Sequence, residues 1–268
     1  MTAAGSGLEL SPSHRKALAR AHAQLETRSL AIRLAEVAGQ PVDRVFGMMP
    51  KVATSAVNLA VEAAILNCLK LAIRSIEPNA RHAPAGNLAS LVAGLSGGVS
   101  GFFGFAALPF ELPLTTTLML RTIADTARHN GEDLAKIEAR LACLEVFALG
   151  AGKTAKRLDL GYYASRAVLS RFADEASALL IERGVASASA PLVRRLLAEI
   201  TARFGVVVSE RVAASAVPVI GAIGGAAVNV TFMNHFQRIA QGHFTIRRLE
   251  RHYGVDAVRR HYQDLSKS

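Results

Sequence analysis

The chain has 268 residues, of which 51% are hydrophobic, only 6% are aromatic and 19% are charged. Soluble domains carry about 25% charged residues, so this composition excludes extensive disorder and is typical of closely packed helices. The formal net charge of +10 at pH 7 suits an anionic partner, either a nucleic acid, an acidic protein or a membrane surface. The two cysteines, Cys68 and Cys143, lack the spacing of a zinc site or a disulfide scaffold.

The N-terminal segment has no apolar core of the kind found in secretory signals. Its glycines and Pro12 predict a disordered tail over residues 1–12. Residues 13–265 are predicted to form a single helical domain. The expected location is the cytoplasm.

Helical periodicity runs through most of this domain. In residues 14–38, Leu18, Ala21 and Leu25 follow a period close to 3.6 residues. The other predicted helices cover residues 51–77, 114–128, 132–149, 160–183 and 191–204. Strands do not alternate with helices in the pattern, and the β-branched cluster at 206–208 is short. The predicted fold is all-α, a multi-helix bundle.

Two long runs carry no charged side chain, residues 83–110 and residues 212–237. Each is long enough to cross a bilayer. Pro109 lies at the end of the first run, and Pro218 and Asn229 interrupt the second. Three interpretations stay open: core helices of a soluble bundle, membrane-spanning helices, or a helical hairpin that docks reversibly on a membrane.

Glycines recur within both runs, several of them at four-residue spacing. Each glycine costs about 1 kcal/mol relative to alanine inside a helix, so their repeated use indicates close approach of another helix. We predict a role in helix packing or membrane contact for Gly94, Gly97, Gly98, Gly101, Gly104, Gly221 and Gly225.

Two short motifs resemble enzyme signatures without completing them. Residues 94–98 satisfy G-x-S-x-G, but the hydrolase elbow needs a preceding strand, and none is predicted. Residues 150–154 end like a P-loop, yet Phe147 stands where the motif needs its first glycine. Neither motif supports an enzymatic activity.

Charged residues in apolar surroundings form the first half of a candidate polar seam. Arg121 and Asp125 are four residues apart on one predicted helix face, and we expect them to pair in a buried network that Glu111 joins. A general acid/base role for these carboxylates is the alternative. Glu145 lies on another apolar helix, and we expect it to pair with Arg166 or Arg211.

The second half of the seam lies near the C-terminus and contains Asn229, His235, His243, Arg247 and Glu250. We interpret these residues as a hydrogen-bonded seam and not as a metal site, because neither HExxH nor a paired histidine spacing is present. We predict no metal and no cofactor.

A basic segment follows the second apolar run. It has little aromatic interleaving and no recognisable nucleic-acid module, so nucleic acid is not the predicted partner.

Several blocks of the sequence resemble the EcsC protein family. They are GLSGGVSGFFG at 94–104, ALPFELPLTTTLMLR at 107–121, IADTAR at 123–128, VPVIGAIGGAAVN at 217–229, and the later HF, HF and RRLE segments beginning at His235, His243 and Arg247. The resemblance covers residues 40–262. It implies that the seam residues belong to the family pattern, and it assigns no catalytic mechanism. The family takes its name from an operon encoding an ABC transporter, which implies a membrane-linked setting.

Three functions follow as hypotheses. The first is a helical protein associated peripherally with the cytoplasmic face of an anionic membrane, accessory to membrane transport and partnered by a transport protein. The second is a hydrolase or lipid-modifying enzyme, with a site where Glu111, Arg121 and Asp125 meet His235 and His243. The third is a soluble scaffold or transporter-accessory protein whose apolar runs form an ordinary core.

Overall fold

A computed structural model describes residues 9–26, 30–38, 51–74, 108–151, 161–183, 190–215 and 221–267. Within these ranges the chain forms helices and turns without strands, which confirms the predicted all-α class. The helices are α1 (Pro12–Leu25), α2 (Leu30–Ala38), α3 (Lys51–Arg74), α4 (Leu108–His129), α5 (Ile137–Leu149), α6 (Tyr162–Arg183), α7 (Pro191–Ser215), α8 (Gly221–Tyr253) and α9 (Val255–Leu265).

The described fold begins earlier than the predicted domain boundary. Leu10 is buried in the core, and the Ser11 hydroxyl caps α1 by accepting a hydrogen bond from the His14 amide. Pro12 then occupies the first turn, where its missing N–H costs nothing. Residues 9–12 of the predicted tail are therefore part of the packed structure, and residues 1–8 lie outside the described ranges.

Several predicted boundaries are wrong. Residues 14–38 form two helices, α1 and α2, instead of one. Helix α4 begins at Leu108 instead of residue 114 and continues through Pro113. Pro113 is the sixth residue of α4 and lies inside the helix, where it removes one backbone hydrogen bond; Glu111, in the first turn, suits the positive end of the helix dipole.

Helix α5 begins at Ile137 instead of residue 132, and residues 130–136 form turns. Helix α7 does not end at Phe204; it continues through the β-branched cluster at 206–208 to Ser215. The apolar run 212–237 is divided between α7 and α8. The basic segment beyond it is the second half of α8, because α8 continues to Tyr253.

Helix α8 lies at the centre of the core. Its 33 residues span about 50 Å, and it packs against α1, α2, α4, α5, α7 and α9. The rings of Phe232 and Phe236 are fully buried, and the Phe236 ring lies 5.5 Å from that of Phe204 and 5.8 Å from that of Phe147. This part of the second apolar run is therefore buried in the core.

Helices α4 and α8 run in the same direction. At the start of α4, Glu111 pairs with Arg211, whose guanidinium lies 5.2 Å from the Phe232 ring in the first half of α8. Just after the end of α4, Glu132 pairs with Arg247 near the end of α8. The Glu111 and Glu132 ion pairs consequently lie at opposite ends of the bundle.

One described helix is long and apolar enough to cross a membrane by length and composition. It is α3, whose stretch Ser55–Ala72 has a mean hydropathy of 1.4, and 44% of that stretch is buried inside the bundle. A core helix of a soluble protein has the same properties. Gly94, Gly97, Gly98, Gly101 and Gly104 lie outside the described residues; Gly221 and Gly225 lie in the first turns of α8.

Candidate functional site

The predicted polar seam is divided among several places. Glu111 and Asp125 are both on α4 but about 21 Å apart along its axis, and His235 and His243 are about 12 Å apart along α8. The predicted Arg121–Asp125 pair is wrong. Asp125 instead accepts a hydrogen bond from Arg128 at 3.0 Å, while Arg121 is exposed.

Glu111 has a partner that is distant in sequence. Its carboxylate pairs with Arg211 of α7, and the two side chains are only 9% and 5% exposed. A buried pair of this kind fixes the position of one helix against another, since removing either partner leaves the other charge buried and unpaired. The expected link from Glu111 to Arg121 and Asp125 is therefore replaced by a link from α4 to α7.

His235 secures the end of α5. Its Nε2 lies 2.7 Å from the carbonyl oxygen of Gly150 and donates to it, because a carbonyl can only accept. Burial lowers the pKa of His235, and the Gly150 carbonyl opposes that shift. The ring is a neutral structural donor between α8 and α5. Asn229, two turns earlier on α8, is fully buried.

Glu132 connects the α4–α5 turn to the end of α8. Its two carboxylate oxygens accept from Arg247 at 2.8 and 3.1 Å, and it also pairs with Arg251, which donates to the carbonyl of Asn130 as well. Burial alone would raise the pKa of Glu132, but the hydrogen bonds and charges of the two arginines hold it below its usual value. Gly131 provides the turn, with φ of +79°.

A second ion pair lies beside the first and joins α6 to α8. Arg166 contacts Glu250 at 2.7 Å, and the Tyr163 hydroxyl donates to the same carboxylate at 3.0 Å. The Tyr162 hydroxyl lies 3.0 Å from Nδ1 of His243. Burial, together with the charges of Arg166 and Arg247, lowers the pKa of His243 well below its usual value.

Two buried atoms near these ion pairs have no hydrogen-bond partner within the described ranges, Oε2 of Glu145 and Nε2 of His243. The predicted pair between Glu145 and Arg166 or Arg211 is wrong, because Glu250 and Glu111 bind those arginines. Burial raises the pKa of Glu145 to about 7, although the charges of Arg247 and Arg166 oppose the shift.

The raised pKa of Glu145 predicts that the free energy of unfolding depends on pH. Below its ordinary pKa of 4.5 the group is neutral in both states; between pH 4.5 and about 7 only the unfolded state loses the proton. The free energy of unfolding should therefore fall by about 3 kcal/mol across that window and then level off. Glu145→Gln should remove this component, whereas exposed Glu138→Gln should not, in denaturation series at pH 4.5 and 8. Identical pH profiles for both variants would contradict it.

Beside the two ion pairs lies a cavity of about 390 Å³. It is bounded by the α4–α5 turn, α5, α6, the end of α8 and the first residue of α9. The charged residues that line it are Glu132, Asp133, Lys136, Glu138, Arg166, Arg247, Glu250 and Arg251. Two seam residues, Arg247 and Glu250, are thus brought to one site; Glu111, Arg121, Asp125 and His235 are elsewhere.

Several residues of this site are not indicated by the sequence. Glu132 is predicted only as part of a helix start, and Tyr162 and Tyr163 are not singled out. The chain has only four tyrosines. Three of them form a cluster of mainly edge-to-face contacts, with ring centroids 5.1 to 5.7 Å apart between Tyr162, Tyr163 and Tyr262. The scarcity of tyrosine and the adjacent pair were the available signal.

Among the described residues, no group of three or more His, Cys, Asp or Glu side chains is arranged to hold a metal ion. Burial raises the pKa of both Cys68 and Cys143 to about 12, so neither thiol is a ready nucleophile or ligand.

The class of protein is thus an all-α bundle whose central helix carries both an aromatic core and a cluster of buried ion pairs. Comparison with known families identifies it further: the chain matches the EcsC protein family over residues 13–249 and belongs to that family. No match was found among curated proteins or among solved structures.

Proposed function

We propose that this protein associates peripherally with the anionic, cytoplasmic face of a membrane through one basic surface. This α1/α9 surface consists of the exposed side chains of residues 9–25, of the end of α8 and of residues 255–267. Its exposed basic residues are Arg15, Lys16, Arg20, Arg248, Arg251, Arg259, Arg260 and Lys267. Its exposed acidic residues are fewer, namely Glu9, Asp256 and Asp264. This excess of exposed positive charge carries the proposal.

The three helices of this surface are held together by specific contacts. Nδ1 of His14 lies 2.8 Å from the Tyr253 hydroxyl, and the Tyr262 hydroxyl donates to Glu26 at 3.0 Å. At Gly242 a β-carbon would lie 3.1 Å from the carbonyl of Ala21, so α1 and α8 approach closely there. The helices that carry the basic side chains are therefore held against one another, which favours a multivalent attraction to anionic lipid.

The described part of the second apolar run favours peripheral membrane association over membrane spanning. Val228, Phe232 and Phe236 are fully buried in the bundle, so they are not free to face lipid. The attraction should be electrostatic, and the Debye length falls from about 10 Å at 0.1 M salt to about 3 Å at 1 M. Binding to the membrane should therefore weaken as the salt concentration rises.

The partner that we propose at the membrane is a transport protein.

Vesicle sedimentation tests the proposal. We expect the full chain to bind vesicles containing phosphatidylglycerol at 0.1 M salt and to be released at 1 M salt. A variant with Arg20, Arg248 and Arg260 replaced by glutamine should bind at least tenfold more weakly. The matched control replaces Arg171, Arg194 and Arg195, which are exposed on α6 and α7, and should bind within about threefold of the wild type.

Two results would contradict the proposal. Equal binding to neutral vesicles at 1 M salt would remove the electrostatic basis, and equal losses in both triple variants would remove the assignment to one surface. A protein that stays in solution with every vesicle would instead support the soluble scaffold alternative.

The catalytic alternative receives less support. It needs Glu111, Arg121 and Asp125 to meet His235 and His243, and the spacing along α4 and α8 distributes these residues over more than one place. His235 is also bound to the Gly150 carbonyl.

A further inference from the structure

We propose that the cavity beside the α4–α5 turn binds the phosphate group of a small phosphomonoester. The inference uses the interior of this cavity and does not rest on membrane association. Arg166, Arg247 and Arg251 line the cavity, and Lys136 adds a fourth positive charge on its exposed side. Its volume of about 390 Å³ lies at the small end of the usual range of ligand sites.

Two of these arginines have N–H donors that make no hydrogen bond to the described part of the chain. A guanidinium carries five N–H groups, and Arg247 directs only its Nε and Nη2 to Glu132. Arg166 makes its contacts with Glu250 and Tyr162 through Nη1 alone. Within the described ranges, Nη1 of Arg247 and both Nε and Nη2 of Arg166 make no hydrogen bond to protein. These unused donors belong to side chains that line the same cavity.

The lining carries four basic and four acidic side chains, so recognition of an anion comes from the unused guanidinium donors and not from an excess of positive charge. Glu132 and Glu250 are each already paired with arginine. A phosphomonoester carries close to two negative charges at pH 7, and its oxygens match the planar fork of a guanidinium. Asp133 and Glu138 line the exposed side, where they would repel an extended polyanion more than a small one.

Two sources can supply this chemistry, a free phosphomonoester or the headgroup of phosphatidic acid. Arg251 belongs both to the cavity and to the α1/α9 surface, so a headgroup could reach the cavity from that surface. The shared feature is the terminal phosphate.

Calorimetric titration of the full chain with inorganic phosphate and glycerol 3-phosphate tests the site, at constant ionic strength set with chloride. We expect saturable binding that Arg251→Gln and Arg166→Lys each weaken at least tenfold. Arg166→Lys keeps the charge beside Glu250 and removes the extra donors, so it separates ligand contact from loss of folding. The matched control is Arg171→Gln, which is exposed on the same helix as Arg166 and does not line the cavity; it should change the affinity less than twofold.

Absence of saturable phosphate binding to the wild type, or equal weakening by Arg171→Gln, would overturn the site. Vesicles that contain phosphatidic acid or phosphatidylserine at matched surface charge distinguish the sources. A preference for phosphatidic acid that Arg166→Lys removes supports the headgroup, and phosphate binding without that preference supports a free ligand. Vesicle binding without phosphate binding would defeat this inference alone, and the reverse would defeat the proposed function alone.

Discussion

Replacing Glu132 with glutamine is expected to lower the free energy of unfolding by about 3 kcal/mol at pH 7. The Glu132 side chain is only 6% exposed and neutralises both Arg247 and Arg251. Without its charge, Arg247 loses its carboxylate partner in a largely buried position. This loss is at the low end for a broken buried pair, because the side chains of Arg247 and Arg251 are 24% and 43% exposed. Urea denaturation measures the loss.

The pH dependence provides a second check on Glu132. Because its pKa is lowered in the folded state, its stabilisation is present above the unfolded pKa and is lost as the pH falls through the folded value. The difference between wild type and Glu132→Gln should therefore shrink toward pH 3. Glu138→Gln, an exposed change on the first turn of α5, should stay within about 0.5 kcal/mol. If the two variants were equally stable at pH 7, the ion pairs would contribute nothing to the fold.

Replacing Gly150 with alanine is expected to cost about 2 to 3 kcal/mol. A β-carbon at this position would lie 2.3 Å from Cε1 of Phe236, and Phe236 is fully buried. The ring cannot retreat freely, because it packs against Phe147, Phe204 and Phe232. Thermal denaturation should show a lower midpoint.

Gly205→Ala is the matched control. Gly205 lies inside α7, and an added β-carbon would make only an ordinary contact of 3.6 Å with the Asn58 side chain. Since alanine is the better helix former by about 1 kcal/mol, this variant should be as stable as the wild type or more so. The φ of Gly150 is −64°, so the difference between the two variants reports packing and not backbone strain. Equal stabilities would show that the α5–α8 contact is looser than described.

The fold class could be predicted from the sequence because it depends on local patterns. Periodicity near 3.6 and the absence of alternating strands point to helices wherever they occur. The positions at which helices begin and end are harder to predict from the sequence. The sequence predicts the start of α5 at Glu132, since an acidic residue suits a helix N-terminus, but the Glu132 side chain is bound to Arg247 and α5 begins at Ile137.

The partners of charged residues could not be predicted for a related reason. Arg121 and Asp125 have the i,i+4 spacing of a helical pair, yet Asp125 has the i,i+3 spacing to Arg128 and pairs with it. Glu111 and Arg211 are 100 residues apart, and no local pattern connects them. Only the packing of α4 against the other helices brings such residues together.

Fractionation of the native protein between cytosol and membranes, with a high-salt wash followed by an alkaline carbonate wash, tests the central claim most directly. We predict recovery with the membranes and release by the high-salt wash, as expected for attraction between the α1/α9 surface and anionic lipid. Retention through both washes would mean that part of the chain inserts into the bilayer, and recovery only in the cytosol would mean that the basic surface serves another partner; either result would contradict the account.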